Sequence, residues 1–259
     1  MNTARGFILI AYVLTGPTFV TACGHSAESR QTNSPIQRAD SAQDMMADKD
    51  LIEAVEVFAT QGGEAGQRAW KKIESSPRQD LIKSLERIRD TTKHDKLLRI
   101  QIAYVLCVMG QDYDRNRTLV TSSMVSRSNP DQLPRDEIAL LIAGLIARGD
   151  KDLLQVLFPV SQWSDGSLSE ALAATFVSET LANPDKFLLE LKSQPKQIRE
   201  KVYDRFDEEN LTIKDLRAIK AHLKTVPAKS PIAEVGREFD QALSKLETRL
   251  AQPPSHPRF

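Results

Sequence analysis

The sequence predicts an all-α protein, and three observations carry that reading. Helix-start signatures recur, apolar residues return at helical spacing, and alternating apolar–polar runs of strand length bounded by turn pairs are missing. Ser76-Pro77, Asn183-Pro184 and Ser230-Pro231 each place a capping side chain before a proline suited to the first helical position. Ser167-Leu168-Ser169-Glu170 has the spacing of a capping box. Between Pro195 and Phe206, the apolar residues Ile198, Val202 and Phe206 recur every fourth position, one face of a helix whose other face is solvated. About ten or more short helices are expected.

In chain order, the first element is not part of the fold. Arg5 precedes an apolar run from Gly6 to Ala22, with small residues just before Cys23, and that order of features is a secretory signal. The run is too short to span ~30 Å of hydrocarbon as a helix, and Gly16-Pro17 interrupts it. Val20-Thr21-Ala22-Cys23 resembles the lipobox of bacterial lipoproteins. That resemblance implies cleavage before Cys23, a diacylglycerol on its thiol and an acylated new terminus. An ordinary secretory cleavage is the alternative, since Val20 and Ala22 also suit it. The resemblance further implies a cell-envelope location facing the periplasm or the exterior. Gly24 in place of a retention aspartate favours the outer membrane where there are two.

Residues 24–44 hold one large aliphatic, Ile36, among small and polar residues, too little to offset chain entropy. They read as a tether with an end-to-end distance of roughly 25 Å. Pro253-Pro254-Ser255-His256-Pro257-Arg258-Phe259 reads as a frayed tail. The expected organisation is a signal over 1–22, a lipidated tether over 23–45, an all-α domain over 46–251 and a disordered tail over 252–259.

Two segments within the domain suggest how its helices are arranged. Asp95 to Gly110 contains a Leu98-Arg99 pair, Ala103, Leu106 and a terminal glycine; Asp136 to Asp150 repeats the alanine, as Ala143, and the glycine, as Gly149. The two alanines are 143 − 103 = 40 residues apart. That period suits paired-helix solenoids, and the first segment resembles the inner helix of a HEAT-like repeat. The small alanine admits a close neighbour, and glycine ends the helix at a positive φ. The second segment lacks the Leu-Arg pair, so the expected fold is an irregular α-solenoid of HEAT-like helix pairs, with an irregular helical bundle as the alternative. The apolar run Ile138 to Ala147 reads as a central buried helix. Trp70 and Tyr104 read as core.

Patterns that could carry chemistry are few. Asp112-Tyr113-Asp114-Arg115-Asn116 opens like a calcium loop, but Arg117 and Ser123 stand where glycine and a bidentate glutamate belong, so it reads as a polar turn. Ser193-Gln194-Pro195-Lys196 matches Ser-x-x-Lys without the companion Lys-Thr-Gly, and Pro195 makes Ser193 or Gln194 read as a helix cap. His25, His94, His222 and His256 have no metal spacing, and neither cofactor nor metal is called for. Cys107, in an apolar run, reads as a buried hydrophobe. Trp163 lies in a turn-rich break, where an aromatic serves either as a binding anchor or as a cover for a helix end.

Charge narrows the partner class. Removing residues 1–22 leaves 34 bases and 35 acids, which argues against electrostatic capture of nucleic acid by the whole domain. The leading reading is a non-enzymatic envelope lipoprotein, a helical scaffold or adaptor that binds another protein or peptide and meets the membrane through the lipid on Cys23. The alternative is an all-α periplasmic hydrolase using carboxylates such as Glu179 or Asp185 in a groove.

Overall fold

In the computed structural model, which describes residues 47–125, 133–207 and 209–251, the apolar repeats become twelve α-helices, with no strand among the described residues. The lipobox with Cys23, the tether, His25, His256 and the tail lie outside those residues. The helices are α1 (Asp48–Thr60), α2 (Gly63–Glu74), α3 (Arg78–Thr91), α4 (Lys96–Val108), α5 (Tyr113–Val125), α6 (Arg135–Ala147), α7 (Leu154–Leu157), α8 (Gly166–Ala182), α9 (Pro184–Lys192), α10 (Lys196–Tyr203), α11 (Ile213–Thr225) and α12 (Ala233–Ala251). Short 3₁₀ turns, Lys151–Leu153 and Phe158–Gln162, flank α7.

The centre is built by α4 and α6. Asp95 caps α4 by accepting from the Leu98 amide at 2.9 Å, and every residue from Ile100 to Cys107 is buried. In α6, Ile138, Ala139, Leu141, Ile142, Ala143, Leu145 and Ile146 are buried, as a helix packed on several sides must be. Both helices end the same way. The Gly110 amide donates to the Cys107 carbonyl and the Gln111 amide to Leu106; the Gly149 amide donates to Ile146 and the Asp150 amide to Leu145. That is the Schellman closure, and φ at Gly110 (+72°) and Gly149 (+116°) is the left-handed value it requires.

From this centre a row of helices extends in which α4 packs on α6, α6 on α8 and α8 on α11. The flanking helices α3 and α5 lie against α4, while α9 and α11 lie against α12. The spacing is irregular: 39 residues separate the starts of α4 and α6, 31 those of α6 and α8, and 47 those of α8 and α11. The 40-residue period therefore holds for one unit and breaks at the 3₁₀–α7–3₁₀ segment. One apolar core nonetheless runs from Leu51 in α1 to Leu246 in α12. It has two aromatic nuclei. Phe58 meets Trp70 at 4.8 Å and Tyr104 at 5.8 Å in the first half. In the second, Phe158, Phe176, Phe187, Phe206 and Phe239 are joined at 4.7–6.3 Å between centroids.

Three helix starts differ from the sequence expectation. Ser76 does not cap α3: its amide closes the end of α2 on the Ile73 carbonyl, and Pro77 itself stands at the N-cap. The Ser167–Glu170 box is displaced because α8 already begins at Gly166, leaving Ser167 inside the first turn. Ser230 and Pro231 belong to a turn, with α12 starting at Ala233. Asn183 does cap α9, through the Lys186 amide at 3.1 Å, with Pro184 in the first turn.

Candidate functional site

Trp163 closes the second 3₁₀ turn, where its amide donates to the Val160 carbonyl at 3.1 Å. Trp163 is partly exposed, at 41%, beside the buried Ser161 and Ser164. The backbone beneath it is held from a distance. Arg205, just past the end of α10, donates from Nη2 to the carbonyls of Ser161 (2.8 Å) and Ser164 (3.0 Å) and to Ser164 Oγ (2.9 Å), and from Nη1 to Ser169 Oγ. One planar guanidinium thus ties the turn before α8 to the first turn of α8 itself. Two carbonyls outside any helix ladder are satisfied, as buried backbone requires. The indole stands on a corner already ordered before anything binds. Sequence alone offered no route to Arg205, since its partners lie 36 to 44 positions away.

The carboxylates proposed for catalysis do not converge. Glu179, buried on α8, pairs with Lys151 Nζ at 2.6 Å, and Lys151 also donates to the Ile146 carbonyl. Asp185, on α9, faces His222 Nε2 at 2.9 Å. Neighbouring charges are likewise spent on joining elements. Asp150 accepts from the Tyr113 hydroxyl at 2.7 Å and from Arg117 Nε at 2.5 Å. Burial and the bond to Asp150 push the Tyr113 hydroxyl well above its ordinary value. Lys186 lies 2.6 Å from Glu190 and 2.9 Å from Asp152, partners that raise its pKa, while Gln155 donates to Glu190. Together these pairs pin the 3₁₀–α7 segment to α5, α8 and α9, which is a structural use of charge.

The remaining patterns resolve into local structure. Asn116 of the calcium-like spacing is buried, with Nδ2 donating to the Gln111 and Asp112 carbonyls and Oδ1 accepting from Arg89 Nη1 at 2.7 Å. Ser193 donates to the Glu190 carbonyl at 2.7 Å and ends α9, whereas Lys196 faces Glu200 at 4.0 Å, so the Ser-x-x-Lys pair is not assembled. Nor does Ser193 cap the following helix, since Pro195 holds the N-cap of α10. Cys107 is buried, and desolvation, with Asp150 nearby, pushes its thiol up to about 12. Among the described residues, no group of three or more His, Cys, Asp or Glu side chains is arranged to hold a metal. None of the described helices is long and apolar enough to cross a membrane. No family model, curated protein or solved structure matches the chain.

Proposed function

We propose that this protein is a lipid-anchored cell-envelope scaffold whose helical array captures a protein or peptide through the corner at Trp163. The observation that carries the reading is the pairing of an exposed indole with a backbone clamped by Arg205. Tryptophan supplies large apolar area with few rotamers to freeze, and a pre-ordered corner leaves little further entropy to lose on binding. The anchor rests on the lipobox resemblance of Val20-Thr21-Ala22-Cys23, and it places the array in the periplasm or outside the cell.

Two measurements test the two halves. A photo-crosslinking amino acid at position 163 should give a discrete protein adduct in cells that the same residue at exposed position 197 does not give, and Arg205→Ala should weaken it. Equal adducts from both positions, or none, would remove the corner from the proposal. Intact-mass analysis of membrane-extracted protein should show an acylated chain beginning at Cys23; a soluble product with an unmodified thiol would remove the anchor.

A further inference from the structure

A concave site lies between the end of α11 and the start of α12, a cavity of about 310 Å³. That is at the small end of the ~300–1,000 Å³ typical of ligand pockets. Its floor is apolar, formed by Leu223, Val226 and Gly236. Gly236 places no side chain between α12 and Leu223, whose Cδ2 stands 3.8 Å from where a Cβ would be.

The wall carries both signs of charge. Lys224 and Arg237 line the cavity, and neither closes an ion pair with Asp240 across it. Asp240 lines it too, and its Oδ1 is shielded from solvent without a protein donor. Arg237 and Asp240 are three residues apart on one helix face, with Cβ atoms roughly 5–6 Å apart at that spacing. The same base-to-acid order closes into an ion pair at Lys201 and Asp204, 3.4 Å apart. Here it stays open, so a shielded acceptor and two exposed cations flank one apolar recess, Lys224 being also within the field of Glu247. An orphaned carboxylate oxygen is costly, and an ammonium would meet it best.

We propose that this cavity binds an apolar α-amino acid as the free zwitterion, its side chain on the Leu223–Gly236 floor, its ammonium on Asp240 and its carboxylate between Lys224 and Arg237. Each part of the ligand answers one feature of the wall: the apolar floor, the shielded carboxylate oxygen and the two cations.

Calorimetric titration and amide NMR of the purified protein decide it, with L-leucine, leucinamide and N-acetyl-L-leucine as probes. L-Leucine should bind saturably, with a Kd of about 1 mM or tighter, and move the Gly236 and Gln241 amides. Leucinamide lacks the carboxylate and N-acetyl-L-leucine the ammonium, so each should bind at least ~10-fold more weakly, one charge-assisted contact being lost. Asp240→Asn should weaken L-leucine by ~10-fold or more while leaving N-acetyl-L-leucine unchanged. Arg237 is exposed, so Arg237→Gln keeps the test open should Asp240→Asn disturb folding, and it should weaken L-leucine but not leucinamide. No saturable binding, equal binding of the three probes, or indifference to both substitutions would overturn the proposal.

Discussion

The Tyr104 hydroxyl occupies the space where Gly144 would carry a side chain. A Cβ at Gly144 would lie 2.6 Å from that oxygen and 3.3 Å from two ring carbons. The ring has nowhere to retreat, since Tyr104 is buried and stacks on Phe58 at 5.8 Å. Gly144→Ala should therefore destabilise the fold by roughly 1–3 kcal/mol, outweighing the ~0.5–1 kcal/mol that replacing a helical glycine normally gains. Tyr104→Phe removes the nearest atom and should relieve part of the clash. A urea double-mutant cycle should then show a coupling of about 0.5 kcal/mol or more; simple additivity would mean the two helices separate freely.

Ala143, the neighbour of that glycine, is buried on α6. Ala143→Phe should overpack the core at a cost of roughly 1–3 kcal/mol or more. Gln197→Phe, on the exposed face of α10, should change stability by less than about 0.5 kcal/mol. Urea unfolding of the two variants side by side checks the difference.

These two residues also show how far the sequence could be read. The alanines at 103 and 143 correctly announced two central buried helices, and the glycines at 110 and 149 announced identical helix ends, because both are local requirements of packing and of φ. That Gly144 makes room for the Tyr104 ring was not legible, because which residues meet between helices depends on rotation about their axes, which composition does not encode. Ser167 and Ser230 failed as caps for a related reason: proline and serine mark a break, but tertiary contacts choose the residue at which the next helix starts. Trp163 was visible as an aromatic in a loop. Its clamp was not, since the bonds from Arg205 link segments whose proximity exists only after folding.

The Arg89 side chain is fully buried, with Nη1 on Asn116 Oδ1 and Nε on Asp90 Oδ1 at 2.8 Å. Asn116→Ala would strand that Nη1 and the Gln111 carbonyl, while the Asp112 carbonyl keeps the Asn116 amide, at a cost of roughly 1–3 kcal/mol. Calcium should leave the melting temperature of the parent protein unchanged, because Asn116 is turned inward. Calorimetric melts of parent and variant, with and without calcium, read both expectations.

Glu238 on α12 receives Arg199 Nη2 at 2.8 Å and the Tyr203 hydroxyl at 3.2 Å. The bond from Arg199 is the main reason its carboxyl titrates below the ordinary glutamate value of 4.5. A carboxylate whose folded pKa is depressed binds fewer protons folded than unfolded. Its stabilisation is thus complete above pH 4.5 and is lost as pH falls through the lower folded value. Glu238→Gln should lower stability near neutral pH and flatten the loss of stability between pH 4.5 and more acidic conditions. Urea midpoints across that range should converge for parent and variant at the acid end; parallel curves would show that Glu238 is not part of the acid response.

The Arg205 clamp makes the last prediction, because it separates support of the corner from support of the core. Lysine keeps the charge but is a point donor, unable to span two carbonyls and two hydroxyls with a planar fork. Arg205→Lys should leave part of this network unmade, the Ser161 and Ser164 carbonyls included, at a cost of roughly 1–3 kcal/mol. Trp163 itself, partly exposed at the surface, should be replaceable by alanine at roughly 1 kcal/mol or less. In a Trp70→Phe background, where Trp163 is the remaining tryptophan, time-resolved fluorescence anisotropy reads the motion of the indole directly. Arg205→Lys should increase its fast local amplitude while leaving overall tumbling unchanged. An indole equally mobile with and without the clamp would mean that Arg205 stabilises the chain without presenting Trp163, and the corner would lose its claim to be pre-ordered for a partner.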